Sequence, residues 1–277
     1  MDPFYSHNGI KLYKGDCVDL IPGLCDKPNL IITSPPYNIG KEYEHISTVE
    51  SYVEWCSKWM DLIYESSTPA ASFWLNLGYL SVEAKGKNVP IPYLLWDKSR
   101  FFLLQEVVWN YGAGVAAKKY FSPRNEKFLW YVKDPDAYVF ELDRVRDKNV
   151  KYPNQKKNGV LKCNPLGKNP TDVWEFPKVT SGGGRASKER TPHPAQFPEK
   201  VIERIVLACS NEGDLVLDPF MGSGTTASVC QRLNRRCIGF ELRDDYLEIS
   251  RRRLISQSEL PMQASLLAEN PDLQSAA

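Results

Sequence analysis

The nine residues Asn29-Leu30-Ile31-Ile32-Thr33-Ser34-Pro35-Pro36-Tyr37 constrain the fold more tightly than any other stretch. Leu30 to Ile32 is apolar without a break, the pattern of a parallel strand covered on both faces. Pro35 and Pro36 have fixed φ and no N–H, and Pro35 pushes Ser34 toward extended geometry, so neither ladder nor helix continues. The result is a stiff elbow at the carboxyl end of a strand, where open α/β sheets hold their ligands. The elbow offers a hydroxyl, unpaired carbonyls and an aromatic face. Hydroxyl and carbonyl acceptors a few ångströms apart suit an exocyclic NH2 group, and a planar base can stack on Tyr37. Stacking alone predicts that Tyr37→Phe keeps substantial function. The plainer reading is a strand stopped by a Pro-Pro turn beside a half-buried Tyr.

A second stretch narrows the ligand. Leu215-Val216-Leu217-Asp218 reads as a buried strand, followed by Pro219-Phe220-Met221-Gly222-Ser223-Gly224-Thr225-Thr226, a helix through Leu233, a strand from Arg236 to Phe240, and Glu241. This is one βαβ unit with a glycine turn at a helix N-terminus. Glu241 is placed to hydrogen-bond the hydroxyls of a ribose. A dinucleotide site has the same outline, but the third glycine is missing and Asp218 would repel a pyrophosphate. A ligand with a ribose and a cation but no phosphate fits, and S-adenosylmethionine is such a ligand.

Elsewhere, Ile10 to Lys14 is a predicted short strand, and Asp16 after it either caps a helix or accepts from a ligand amino group. Asn38 to Ile46 reads as a mobile loop over the site. Ser47-Thr48-Val49-Glu50 reads as a capping box opening a helix whose Trp55 and Trp59 belong to the core. Ala71 to Leu77 is a buried strand and Ile91 to Arg100 a helix. Leu103 to Trp109 and Glu126 to Lys133 are strands that suggest an antiparallel pair at one edge. From Asp134 to Arg190 periodicity fades, leaving either a linker or a small folded module around Val160, Leu161, Leu166, Val173, Trp174 and Phe176. Pro198 and Glu199 start an amphipathic helix buried through Val201, Ile202, Ile205, Val206 and Cys209.

Net charge is only +1, yet Arg144 to Arg190 holds twelve Lys/Arg against four Asp/Glu. One basic segment on a near-neutral chain suggests local contact with phosphate. Its candidate contacts are Lys151, Lys156, Lys157, Lys162, Lys168 and Arg185. Seven cysteines without a Cys-x-x-Cys pair make neither a disulfide framework nor a zinc site and fit a reduced compartment. No metal is implied. Met1 to Gly9 has no apolar signal core, and no run approaches the ~18 apolar residues of a membrane helix. A cytoplasmic location is expected.

Ser34 to Tyr37 resembles the catalytic motif of DNA amino-methyltransferases, and Asp218 to Thr226 resembles their donor-binding motif. His193-Pro194-Ala195-Gln196-Phe197-Pro198 is similar to the segment before their first donor-site helix. Catalytic motif first, donor motif late and a basic segment between is the β-group arrangement. The resemblance spans residues ~10 to ~255, the size of one large domain. It implies a doubly wound α/β fold: a mainly parallel seven-stranded sheet with an antiparallel edge strand, in circularly permuted motif order, plus a target-recognition module. The implied divisions are a catalytic half at 1–133, the module at 134–191, a donor half at 192–255 and a tail at 256–277. Catalytic roles fall on Ser34, Pro35, Pro36 and Tyr37. Donor contacts fall on Asp16, Phe197, Asp218, Pro219, Phe220, Gly222, Ser223, Gly224, Thr225 and Glu241. The implied partners are S-adenosylmethionine and double-stranded DNA, with a restriction endonuclease acting on the same site. Ser before Pro-Pro-Tyr mostly accompanies methylation of cytosine N4 in this family. Hydrogen-bond chemistry alone leaves adenine N6 open, because either amino group fits the acceptors.

Overall fold

The structure, a computed structural model, describes residues 2–112, 114, 116–180 and 187–269, with side chains through residue 258. In chain order the first half comprises β1 (Tyr5–His7), β2 (Ile10–Lys14), α1 (Cys17–Leu20), β3 (Leu30–Thr33), α2 (Val49–Ser66), β4 (Ser72–Leu77), β5 (Tyr79–Val82), β6 (Gly86–Pro90), α3 (Pro92–Leu95), β7 (Phe102–Asn110) and β8 (Asn125–Val132). The rest comprises β9 (Lys156–Lys157), β10 (Val160–Leu161), β11 (Val173–Glu175), α4 (Glu199–Cys209), β12 (Leu215–Asp218), α5 (Thr225–Arg232), β13 (Arg236–Glu241) and α6 (Asp244–Glu269).

One nine-stranded sheet carries the order β1-β2-β13-β12-β3-β4-β8-β7-β11. From β2 to β4 its members are parallel, and β3 lies between β12 and β4. The unbroken apolar runs now have a cause. Leu30, Ile32 and Val216 enter the core shared with α4 and α5, whereas Ile31 and Leu217 enter the opposite core with α2. Both faces of these strands are dry, so alternation with polar residues would leave polar groups buried without partners.

The sheet departs from expectation at both ends. It has nine strands rather than seven. The reversed strand β8 is interior, because β7 pairs outside it and β11 then adds parallel to β7. Trp174 of β11 is buried in the main core, with the Arg204 guanidinium 5.1 Å from its ring. Val160, Leu161, Leu166 and Val173 stay exposed. The apolar residues of the basic segment therefore form no core of their own, and the one large buried ring completes the sheet.

Three local expectations also change. The capping residue of α2 is Thr48, which accepts from the Ser51 N–H, while the Ser47 N–H donates to Asn38 Oδ1. Helix α3 stops after one turn at Leu95, and farther along the Ser99 hydroxyl accepts from the Phe101 N–H. Helix α6 runs through the boundary expected at residue 256, and Gln257 is tied to Ser228 of α5. Among the described residues no helix is long and apolar enough to cross a membrane.

Candidate active site

The parallel strands deliver their carboxyl ends to one edge, and a cavity of about 430 Å³ opens there. Its lining brings together Ser34, Pro35, Pro36 and Tyr37 after β3, Asp16 after β2, Pro219 to Ser223 after β12, Glu241 at the end of β13, and Phe197 before α4. Residues separated by most of the chain thus share one chamber. Asp218, Gly224 and Thr225 lie behind the lining instead.

Asp218 ends fully buried β12. It accepts from Thr33 Oγ1 at 2.8 Å, from Thr226 Oγ1 at 2.7 Å and from the Phe220 N–H at 3.1 Å. Burial raises its carboxyl to about 6 while these bonds pull it down. Thr33 directly precedes Ser34, so this carboxylate fastens the glycine turn to the Pro-Pro elbow. The turn is braced from behind. Gly224 caps α5 with φ 75°, and a Cβ there would meet Ser250 at 2.9 Å. Ser250 Oγ donates to the Gly222 carbonyl, and Arg253 of α6 donates to the Ser223 carbonyl and Thr225 Oγ1.

Glu241 is oriented by two backbone donors, the N–H groups of Gly222 at 2.9 Å and Arg243 at 3.0 Å. Burial raises its carboxyl above the ordinary range. Asp16 caps α1, accepting from the Val18 N–H at 2.8 Å, and also lines the cavity. Phe220 packs edge-on against Trp55 and Trp59. Trp59 is core as expected, but Trp55 reaches the cavity wall.

At the elbow the Pro36 carbonyl accepts from Tyr52 Oη at 2.9 Å. The Tyr37 N–H donates to Glu44 Oε1 at 2.8 Å. The Tyr37 ring lies so close to Gly78 that a Cβ there would approach it to 2.9 Å. Its hydroxyl is not idle: Ser34 Oγ lies at 3.0 Å, Asn76 Oδ1 at 3.1 Å and Glu126 Oε2 at 3.2 Å. Burial and the Glu126 charge hold the phenol well above its ordinary pKa. The stacking-only role expected for Tyr37 omits these contacts.

Several lining residues carry no motif. Asn76, Trp109, Glu126, Lys178, Tyr43 and Tyr246 belong here, the last two beside His193 of the segment before α4. His193 stacks with Tyr43 and meets Tyr246 edge-on, and desolvation lowers its imidazole to about 4, so it is neutral at pH 7. A polar Asn76 inside the apolar run Phe73 to Leu77 was a visible signal. Glu126 had none, because its position at the start of a strand suggests an exposed edge.

Of the basic candidates, Lys151, Lys156, Lys157, Lys162 and Lys168 are exposed, and Arg185 lies outside the described residues. Lys156 and Lys157 form β9 of a small hairpin with β10. Lys168 is paired with Asp147 at 3.2 Å, which reduces what it can offer a phosphate. Arg144 and Arg146 are likewise engaged with the protein's own carbonyls and carboxylates.

Comparisons with known proteins agree with this geometry. The type II methyltransferase M.ScaI of Streptomyces caespitosus is 58% identical over 93% of this chain and 85% of its own length. The DNA adenine methyltransferase YhdJ of Escherichia coli (strain K12) is 34% identical over 82% of this chain and 76% of its own. The PvuII DNA methyltransferase (cytosine-N4-specific) superposes with a TM-score of 0.69 at 22% identity, covering 91% of this chain and 88% of that one. The M1.HpyAVI complex with SAM gives a TM-score of 0.59 at 23% identity, covering 88% and 98%. These two structures support the fold. The sequence profile of a family described as DNA methylase matches residues 29–252. With that span covering both strand-end motifs and everything between them, the chain belongs to the DNA methylase family.

Proposed function

We propose that this chain methylates the N4 amino group of cytosine at a specific site in double-stranded DNA, with S-adenosylmethionine as donor, and so protects host DNA from a restriction endonuclease acting on the same sequence. The observation that carries the reading is the cavity itself: acceptors of the elbow at Ser34 and Pro35 share it with Glu241 and the glycine turn. The lining suits this donor. Asp16 and Glu241 are carboxylates, which favour ribose hydroxyls, an amino group and a cationic sulfur over a pyrophosphate.

When bound, S-adenosylmethionine supplies an electrophilic methyl group on sulfur. The chain's own residues do the rest. The lone pair of an exocyclic nitrogen is delocalised into its ring, so the nitrogen is a weak nucleophile. Ser34 Oγ and the Pro35 carbonyl would accept hydrogen bonds from its two hydrogens and favour the pyramidal nitrogen that can attack. As the N–CH3 bond forms the S–CH3 bond breaks, the neutral thioether leaves and the nitrogen loses one proton to solvent. The Pro36 carbonyl already accepts one hydrogen bond, from Tyr52 Oη. The Tyr37 ring holds the base, and Glu241 with the glycine turn fixes the donor so that nitrogen, methyl and sulfur align. The target base lies inside a duplex and has to be flipped out. The exposed lysines at 151–168 hold the phosphates meanwhile.

The choice of cytosine rests on Ser preceding Pro-Pro-Tyr. The cytosine-N4 label of the PvuII enzyme supports it, whereas the adenine label of YhdJ points to the rival base. Nucleosides from DNA of a host expressing the chain should contain N4-methylcytosine. N6-methyladenine in its place would overturn the base assignment and leave the chemistry standing.

A further inference from the structure

Glu126 comes from β8, the reversed strand, and reaches the cavity beside the elbow. The Tyr37 phenol has three oxygen neighbours: Ser34 Oγ, Asn76 Oδ1 and Glu126 Oε2. A phenol carries one proton and can accept as well. Neither the Asn76 amide oxygen nor a carboxylate can donate, so the phenol proton goes to one of them. The contact with Ser34 must then run the other way, with Ser34 donating. Asn76 Nδ2 donates to the Lys127 carbonyl, which fixes its Oδ1 toward Tyr37. Between the two acceptors the charged one is the stronger.

We propose that Glu126 is a positioning residue: its carboxylate holds the Tyr37 proton, Tyr37 holds the Ser34 proton, and Ser34 is left with its lone pairs for the target amino group. The proposal rests on the reading of Ser34 as an acceptor. It assigns the Tyr37 hydroxyl a part that stacking does not require. It also makes the polarity of the elbow depend on one charge. A protonated Glu126 would donate to the Tyr37 oxygen, displace Ser34 from it, and free the serine proton to point at the base.

Burial raises the Glu126 carboxyl above its ordinary range. The groups around it come from every neighbouring element: Tyr37 on the elbow, Tyr43 on the loop after the elbow, Asn76 on β4, Tyr111 after β7, and Lys178 after β11. Lys178 is the opposing charge that favours the carboxylate. The methylation rate should therefore fall as pH drops through the raised Glu126 pKa. Asp218 titrates at about 6, so the readout is the difference between variant and wild type rather than the raw profile.

The test is a double-mutant cycle in single-turnover methylation of duplex DNA. Glu126→Gln and Tyr37→Phe should each slow the step by about 10-fold to 100-fold with unchanged S-adenosylmethionine affinity, the usual scale for partners that orient a reacting group. Glu126→Gln should cost nothing further in the Tyr37→Phe background, and both variants should lose the acid limb attributed to Glu126. Multiplying losses, or a wild-type rate in Glu126→Gln, would overturn the proposal. Should Glu126→Gln fail to fold, the pH profile of Tyr37→Phe decides, because an acid limb unchanged from wild type contradicts the relay. Ser34→Ala, run alongside, separates the two levels. A wild-type rate there removes the acceptor reading itself. A slow Ser34→Ala with an additive cycle removes only Glu126.

Discussion

The glycine turn with the elbow and the basic segment at 144–190 are held in opposite ways. In the first, Asp218 is buried and accepts three hydrogen bonds, one of them from Thr33 beside Ser34. Groups at this end are held by neighbours on several strands and helices. In the second, the lysines at 151–168 stand in solvent, and the nearby Val160 and Leu161 are exposed as well. Alignment of reacting atoms tolerates little freedom, so its parts are built on strand ends. Phosphate contact is long-ranged and forgiving, so loops suffice for it.

The contrast is sharpest at Trp174, the most deeply buried ring of the segment in the main core, with Tyr138 and Phe176 packed against that core beside it. Trp174→Ala should lower the stability of the whole chain by about 3–5 kcal/mol, the usual cost of emptying a buried Trp site. A single, cooperative loss in thermal unfolding is expected. A local transition with the main one unmoved would make the segment an independent module after all.

A smaller effect is expected at Glu241. Glu241→Ala should weaken S-adenosylmethionine binding by about 1.5–3 kcal/mol, the scale of a hydrogen bond to a charged group, and leave DNA affinity alone. Calorimetry that finds the donor bound as tightly as before would move the donor away from this carboxylate. The smallest effect belongs to the lysines. Replacing Lys156 and Lys157 with Ala should flatten the salt dependence of DNA binding by about two at most, without touching the donor. Lys168→Ala should flatten it less, because Lys168 is already paired with Asp147. Equal slopes for all variants would place the phosphate contacts elsewhere.

The two regions also differ in how far the chain announces them. Strands such as Leu30–Thr33 and Leu215–Asp218 are legible because burial on both faces demands unbroken apolar runs. The elbow and glycine turn are legible because proline and glycine restrict the backbone wherever they stand. Glu126 and Lys178 enter the cavity through the register of β8 and the path after β11, which no local pattern encodes. Val173 and Trp174 pair with residues 65 positions earlier on β7, so the ninth strand is a tertiary event. The Thr48 cap turns on a single side-chain hydrogen bond that competes with equally good local alternatives.

The Thr33 to Asp218 bond joins residues 185 positions apart. Because β3 and β12 are sheet neighbours, the reaction centre depends on which strands lie side by side and not on the order in which the ribosome makes them. The stretch between the halves is then a tether, and lengthening a tether is cheap: each doubling of a flexible loop costs roughly 0.6 kcal/mol. The turn Asn158–Gly159 between β9 and β10 is the natural place for growth, since both residues have positive φ and a Cβ on Gly159 would meet nothing within 4 Å. New sequence inserted there would extend an exposed hairpin, while the sheet into which Trp174 packs stays unchanged.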